Sequence, residues 1–407
     1  MATVSMKCPN CGGELIFDPK SQKYKCEYCG SDFALDEIST EEAATQAVSD
    51  VVQEREDTSD NHTQQRTAGA EDAAVLYTCP SCGAQIVTDQ TTAATFCYYC
   101  HNPVLLSEQL SGAFHPDQII PFEIDRKQAE EHFLDFVQKK KFVPNAFFQK
   151  NQIEKLTGIY FPYWVCDAEV EGSLTAEGNK VRVWVSGDEE FTETRIYRME
   201  REGHVSLREI TKHALKKTDN LLAEGVLPYD FSKAAEFRMG YLSGFYAEKR
   251  DIERKELEEE VHREVENCTR DLLEDTIHGY NGVHILSDHI RPIREQWKYT
   301  LLPVWTVTYK GMNGKMYYYS MNGQNGKTYG ELPVDRKKSI SVWCVVWRYS
   351  TGDHAVAWLL YILILGEENE NDKKKRAVAA LAGRNRSMSY AQRGCGSFCT
   401  GSRASGI

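Results

Sequence analysis

Eight cysteines near the N-terminus have the spacing of metal ligands. They form four Cys-x-x-Cys pairs, arranged as Cys8, Cys11, Cys26, Cys29 and as Cys79, Cys82, Cys97, Cys100. Each pair sets two sulfurs on one tight turn, and the 14-residue gap in each group lets a short hairpin bring its pairs together. Four thiolates complete the tetrahedral shell of Zn²⁺. The pattern therefore predicts two structural zinc ions and leaves no open position for catalysis.

The prediction of zinc depends on the cellular compartment, because in an oxidising compartment cysteines form disulfides with each other instead of binding metal. The opening residues, MATVSMKCPNCGG, lack the apolar run of a signal peptide. Cysteine pairs without an export signal bind metal more often than they form disulfides. We expect a cytoplasmic protein, with a redox or disulfide role as the less favoured alternative. His101 could replace Cys100 as a ligand, but a surface histidine is the favoured interpretation.

The two cysteine groups belong to a duplicated module. Shifting residues 7–35 by 71 positions superposes all four cysteines on residues 78–106. Five further identities accompany them: Pro9 with Pro80, Gly12 with Gly83, Asp18 with Asp89, Tyr28 with Tyr99 and Leu35 with Leu106. Nine identities in 29 positions indicate duplication, so both copies should be zinc ribbons.

Composition divides the chain into six stretches. Residues 36–77 carry 11 acidic and two basic side chains and one aromatic residue, which predicts a flexible linker with a possible short helix at 40–54. The predicted units are ribbon one (1–35), the linker (36–77), ribbon two (78–106), an α+β domain (107–338), an apolar segment (339–366) and a low-complexity tail (367–407).

The α+β domain is predicted from its periodicities. Apolar residues at helical spacing predict helices at 126–140 and 251–277. Strands are predicted at 158–176, 181–186, 191–198, 301–310 and 315–321, with turns at Asn313-Gly314, Asn322-Gly323 and Asn325-Gly326. The segments Phe161–Val165 and Leu302–Thr306 resemble each other, and each is expected to open a strand of a related β unit.

Charge bears on whether the ribbons bind nucleic acid. The net charge is −12, residues 7–35 hold four lysines and four acids, and residues 78–106 hold one charged residue, Asp89. Phosphate binding needs a stripe of Lys and Arg, which neither ribbon offers. Their aromatic residues could stack on bases, but the ribbon core and a protein-contact face are favoured. Nucleic acid is a disfavoured partner that is not excluded.

No residue pattern predicts catalysis or nucleotide binding. Gly326-Lys327-Thr328 ends like a phosphate-binding loop, but Met321 stands where that loop needs glycine, and Pro333 follows too soon for a helix. We interpret it as a hairpin turn. His278, His284 and His289 have no neighbouring cysteine or carboxylate at ligand spacing, and Cys166 fits an apolar core.

The apolar segment at 339–366 raises the question of a membrane. A spanning helix needs about 20 apolar residues. Arg348 and Asp353 interrupt this segment, which leaves 12 uncharged residues at 355–366. A buried helix or strand is the alternative. Trp343, Trp347 and the basic residues 336–338 favour membrane contact, with the ribbons on the cytoplasmic side.

Taken in order, the motifs resemble those of the TFIIB-type double zinc-ribbon proteins of Firmicutes, over about residues 7–338. They are the two ribbons, Ile119–Phe122, Gly158–Trp164, Leu301–Trp305 and Met321–Lys327. The resemblance implies a cytoplasmic zinc-ribbon protein held at the membrane by a C-terminal anchor, in a family sometimes labelled primosomal helicase. It also implies an adaptor that links the membrane to stress proteins of the phage-shock and flotillin-like kind.

The sequence thus predicts an α+β protein with two structural zinc ions and no enzymatic activity. The expected function is an adaptor that binds protein partners at the inner face of the cell membrane, through residues 339–366, and binds no nucleotide. The alternative is a nucleic-acid-binding zinc-ribbon protein of replication or transcription.

Overall fold

The computed structural model describes residues 3–38, 75–140, 143, 156–216, 220–310 and 316–332. These residues form the predicted mixed α+β fold, in which strands predominate over helices. We call residues 3–38 the first ribbon, residues 75–106 the second ribbon, and the described residues from 107 to 332 the body. The predicted linker helix at 40–54, the Asn313-Gly314 turn and the segment 339–366 lie outside the described residues.

Three α-helices occur in the described residues: α1 (Arg126–Lys139), α2 (Asn220–Gly225) and α3 (Arg254–Glu274). The strands are β1 (Leu15–Asp18), β2 (Lys23–Cys26), β3 (Asp32–Phe33), β4 (Val75–Thr78), β5 (Gln85–Thr88), β6 (Thr92–Phe96), β7 (Pro103–Leu105), β8 (Gln118–Ile119), β9 (Thr157–Ser186), β10 (Glu189–His213), β11 (Ala235–Glu236), β12 (Tyr246–Glu248), β13 (Gly282–Lys310), β14 (Met316–Asn322) and β15 (Thr328–Gly330).

Both long helices were predicted, and each begins at a capping box. The Asp125 carboxylate accepts a hydrogen bond from the Gln128 amide at 2.8 Å, and the Gln128 side chain accepts one from the Asp125 amide at 3.1 Å. Helix α1 then buries Phe133 and Val137 against the core. Helix α3 begins with the equivalent pair, Glu253 and Glu256.

A ten-stranded sheet organises the body, with the 30-residue strand β9 at its centre. On one side β13 pairs antiparallel with β9, and on the other side β10 pairs antiparallel with β9 over most of its length. Helix α3 packs across these strands where Gly172 leaves room, because a Cβ at that position would lie 2.8 Å from Thr269 Cγ2. The three longest strands and α3 therefore form one layered unit.

The predicted strands were correct in position, but all except the one at 315–321, which matches β14, were too short. Strand β9 runs without a break through 158–186, β10 continues to His213, and β13 begins at Gly282, 19 residues before the predicted start. The related segments pair directly with each other, since Phe161 lies opposite Leu302. The first segment lies near the start of its strand as expected, but the second lies near the end of β13, so the expectation that it opens a strand was wrong.

The ribbons are joined to the body by backbone and core. Strands β6 and β7 of the second ribbon form one edge of the central sheet, through pairing of β6 with β12. The first ribbon shares a continuous hydrophobic cluster with the body, in which Phe17 packs against Tyr241 with the ring centroids 5.2 Å apart. The first ribbon thus has no core separate from the body, whereas the second ribbon keeps a hydrophobic cluster of its own that includes Tyr77 and Ile86. Strand β4 also begins inside the stretch predicted as linker, at Val75.

Membrane contact was expected from residues that lie beyond Leu332. Among the helices that the structure describes, none is both long enough and apolar enough to cross a membrane.

Candidate metal centres

The four sulfurs of each cysteine group lie together, as predicted. All Sγ atoms within each group lie within 4.8 Å of one another. The Cys8–Cys29 and Cys11–Cys26 sulfur distances are 3.6 and 3.5 Å, and the corresponding pairs in the second ribbon are both 3.7 Å apart. A tetrahedron with Zn–S bonds of about 2.3 Å has S–S edges of about 3.8 Å, whereas a disulfide bond is about 2.05 Å long. The spacing therefore fits a shared cation and not disulfides.

Backbone geometry explains why each Cys-x-x-Cys pair can form a turn. The Gly12 amide donates to the Cys8 carbonyl at 2.8 Å, and the Gly83 amide donates to the Cys79 carbonyl at 2.9 Å. Both glycines have φ near +70°, a conformation that side chains disfavour. The duplicated glycines thus close the first turn of each ribbon.

His101 takes the same place in the last turn, where the first ribbon has Gly30. Its amide donates to the Cys97 carbonyl at 2.9 Å, and its φ is +60°. The four-sulfur group beside it does not include its ring nitrogens. The histidine is exposed and closes the turn through its backbone, which agrees with its interpretation as a surface residue.

Hydrogen bonds favour ionisation of one thiol in each group. The hydroxyl and backbone of Ser31 lower the pKa of the Cys29 thiol to about 6. Burial raises the pKa of Cys97, but hydrogen bonds from the Cys100 and Tyr99 amides outweigh it and bring the pKa to about 7. The Tyr99 amide lies 3.4 Å from Cys97 Sγ.

One further thiol in each group shows why a cation is needed. The Gly13 amide lowers the pKa of Cys11, yet burial and the neighbouring cysteine sulfurs raise it to about 12. Burial likewise raises the pKa of Cys100 to about 12. Four crowded thiols cannot all ionise together unless a cation balances their charge. Zn²⁺ would supply that charge, and four protein ligands would leave no position for substrate, which makes each centre structural.

The two candidate centres are fixed relative to each other by Glu14, a residue that no sequence motif marks. Its Oε1 atom accepts hydrogen bonds from Ser81 Oγ at 2.7 Å and Asn102 Nδ2 at 3.3 Å, and it forms an ion pair with Lys7. Ser81 lies inside the first turn of the second ribbon. The repeat gave no signal for this role, since the equivalent position in the second ribbon is Gln85 and not a carboxylate.

A groove between the ribbons runs past both candidate centres. Its outer part has a volume of about 480 Å³ and is lined by Tyr28, Phe96 and His101, among others. It continues into a cleft of about 650 Å³ that reaches Trp305 in the body. Tyr28, which lines the groove, is 86% exposed, and the equivalent Tyr99 of the second ribbon is 72% exposed. These tyrosines are therefore not part of the ribbon cores.

The other sequence candidates lie apart from the ribbons. Gly326-Lys327-Thr328 lies in the hairpin between β14 and β15, where Met321 pairs with Thr328, so the interpretation as a hairpin turn is confirmed. The Lys327 ammonium group contacts the Leu227 carbonyl instead of a phosphate cradle. Cys166 is buried in the core beneath α3.

Comparisons with known proteins identified one informative relative. YdjG of Bacillus subtilis (strain 168), described as an uncharacterized protein, is 30% identical to this chain over 239 residues. The aligned region covers 59% of this chain and 70% of YdjG. No protein-family model matches the chain, and no solved structure matches it.

Proposed function

The chain belongs to the same protein family as YdjG, and we propose that it is a non-enzymatic adaptor whose two zinc ribbons together bind a protein partner. The observation that supports this proposal is the pair of exposed tyrosines, Tyr28 and Tyr99, at equivalent positions of the duplicated module. Exposed tyrosines are enriched at the energetic centres of protein interfaces.

The rigid spacing of the ribbons favours a single binding surface. Glu14 bonds to Ser81 and Asn102, and the Val4 amide donates to the Leu105 carbonyl at 2.8 Å. Both tyrosines are therefore presented by one rigid unit. Because the two ribbons are already held together, a partner that contacts both does not have to order them first. Binding therefore costs less conformational entropy than binding to two independently moving ribbons would.

Local charge favours a protein over a nucleic acid. Of the four lysines at 7–35, Lys7 forms an ion pair with Glu14 and Lys20 forms one with Asp125. The ribbons therefore offer few cations for phosphate groups. The exposed tyrosines could nevertheless stack on bases, which keeps nucleic-acid binding as the second candidate function.

Quantitative affinity capture tests the proposal. Full-length wild type and Tyr28→Ala/Tyr99→Ala would be compared as baits in native cells, with Val87→Ala as the matched control on an exposed strand of the second ribbon. We expect a partner that is captured by wild type and control and lost with the double variant. Titration of that purified partner should show at least a tenfold loss of affinity, about 1.4 kcal/mol. Equal capture by all three baits would refute this surface.

The nucleic-acid alternative has its own test. Binding of single- and double-stranded oligonucleotides at about 0.15 M salt should be no tighter than non-specific, roughly 100 µM. A sub-micromolar dissociation constant with a steep salt dependence, abolished by the tyrosine substitutions, would make nucleic-acid binding the better hypothesis.

We also propose that the adaptor works at the inner face of the cell membrane through residues 339–366. This proposal is supported by sequence alone, namely the tryptophans and the basic cluster 336–338. The full chain should float with liposomes containing anionic lipid, and a chain ending at Lys338 should not. If both remain at the bottom of the gradient, membrane attachment is refuted and the adaptor proposal is unaffected.

A further inference from the structure

Strands β9 and β10 extend past the body as a two-stranded arm. Strand β13 accompanies β9 only as far as the pairing of Gly282 with Asn179. Beyond that point residues 180–195 pair only with each other, around a turn at Gly187. The arm therefore has two unpaired edges within the described chain.

This arm exposes an unusual amount of apolar surface. Of the 14 large hydrophobic side chains that are exposed in the described residues, seven belong to the arm and its base: Val181, Val183, Trp184, Val185, Phe191, Ile196 and Tyr197. Isolated two-stranded ribbons are marginally stable in water, and free strand edges invite pairing with another chain. The arm has the β-branched composition of a strand that belongs in a larger sheet.

The outer edge of β10 is complementary to itself. When a second copy is laid antiparallel with Thr194 opposite Thr194, Glu193 meets Arg195 of the other copy and Glu190 meets Arg198. Phe191 then lies opposite Tyr197. By symmetry each pair occurs twice, so four opposite-charge pairs and two aromatic pairs form.

Neighbouring registers lack this complementarity. Centring the pairing on Arg195 places two arginines opposite each other, and it also sets Glu190 against Glu200. Opposite charges and aromatic pairs stabilise cross-strand neighbours, whereas like charges destabilise them. In the single chain, Arg195 instead pairs with Glu193 of its own strand at 2.8 Å, an exposed contact of little energetic value.

We propose that two copies of this chain associate through β10, in antiparallel register centred on Thr194, to form a continuous four-stranded sheet from both arms. Each copy supplies the same edge, so the interface is closed and two-fold. The acidic residues at the arm tip, Asp188 to Glu190, make an anionic lipid surface a poor alternative occupant.

Charge reversal tests the pairing on the full chain. Sedimentation equilibrium of the wild type should give twice the 46.4 kDa chain mass. In the proposed register, Glu193→Arg places two arginines opposite each other at both 193–195 contacts, and Arg195→Glu places two glutamates there. Each substitution should therefore weaken the dimer at least about tenfold. An equimolar mixture of the two variants should restore dimers, because every pair between unlike chains is then opposite in charge. Lys249→Glu, on the body, is a charge-reversal control that should leave the dimer intact.

A cysteine scan tests the register. Thr194→Cys places two cysteines directly opposite each other, within the reach of a disulfide. Thr192→Cys is the matched control, because its two copies would lie four residues apart, about 13 Å. Mild oxidation should cross-link only the first variant through position 194, as shown by peptide mass mapping against the wild type. A monomeric wild type overturns the proposal, and so does a dimer that ignores both charge reversals or cross-links equally at 192.

Discussion

The Tyr24 hydroxyl of the first ribbon lies so close to Gly240 of the body that no side chain fits between them. A Cβ at Gly240 would overlap the hydroxyl oxygen. Tyr24 is fully buried there, and burial raises the pKa of its hydroxyl to about 12. Beside it the Phe17 amide donates to the Ser243 carbonyl at 3.0 Å. The first ribbon is therefore seated on the body through side chains and backbone.

We expect Gly240→Ala to displace the first ribbon without emptying its metal centre. The added methyl group meets a buried aromatic ring, and overpacking of this kind costs about 1–3 kcal/mol. Hydrogen exchange should accelerate in residues 15–26 and 239–245, while metal analysis still finds two zinc ions per chain.

Gly203→Ala is the matched control for this substitution. A Cβ at Gly203 has a single neighbour, Leu273 Cδ2 at 4.0 Å, which is an ordinary contact. Its exchange pattern should match the wild type. Unchanged exchange in Gly240→Ala would mean that the ribbon is not seated as described.

Removal of one ligand should halve the metal content. Structural zinc in small domains contributes on the order of 10 kcal/mol of apparent binding energy, so Cys26→Ser should lower the content from two ions to one. Because Cys26 belongs to the same hydrophobic cluster as the body, we expect increased exchange to reach the docked surface around Phe245. Cys268→Ala, a buried cysteine outside both sulfur groups, should keep two ions. One ion in the wild type would contradict the assignment of two centres.

The sequence predicted those features that depend on short-range chemistry. Cysteine pairs and their glycines define the ribbons locally, and the apolar spacing of Phe133 and Val137 defines α1. The Asn322-Gly323 turn was likewise predicted from neighbouring residues alone. In each case the determining contacts lie within a few residues, so no knowledge of the tertiary structure is needed.

The features that sequence reasoning missed depend on long-range partners. The first half of β13 carries His289, Arg291 and Glu295, which give no apolar alternation, and it is a strand because β9 pairs with it. The docking of Tyr24 could not be predicted either, because an aromatic residue in a ribbon core has the same sequence signature as one shared with a second core.

The hairpin at β14 and β15 depends on Asn322 more than on Lys327. The buried Asn322 side chain donates to the Val226 and Pro228 carbonyls at 2.9 and 3.1 Å, and its oxygen accepts from the Gln324 and Asn325 amides at 2.8 and 3.0 Å. Asn322→Ala would leave several buried groups unsatisfied, at a cost on the order of 3 kcal/mol in urea unfolding.

Lys327→Ala is the comparison for that variant, because the structure gives the lysine a carbonyl contact and no phosphate-binding loop. It should cost less than about 1 kcal/mol. Neither the wild type nor this variant should hydrolyse ATP above background. ATP turnover that Lys327→Ala abolishes would refute the interpretation as a structural hairpin.

His213 should make the stability of the body depend on pH. Burial lowers the pKa of this imidazole to about 4, and a hydrogen bond with the Leu215 backbone opposes part of that decrease. An unfolded histidine has a pKa of about 6.5, so the unfolded chain binds more protons between these values. The unfolding free energy is therefore highest above about pH 6.5 and falls as the pH drops toward 4, by at most about 3 kcal/mol.

His213→Phe should remove this part of the pH dependence of the unfolding free energy, measured by urea unfolding at several pH values. Thiol protonation in the ribbons affects both proteins equally and cancels in their difference, so identical slopes would show that His213 is not buried in its neutral form.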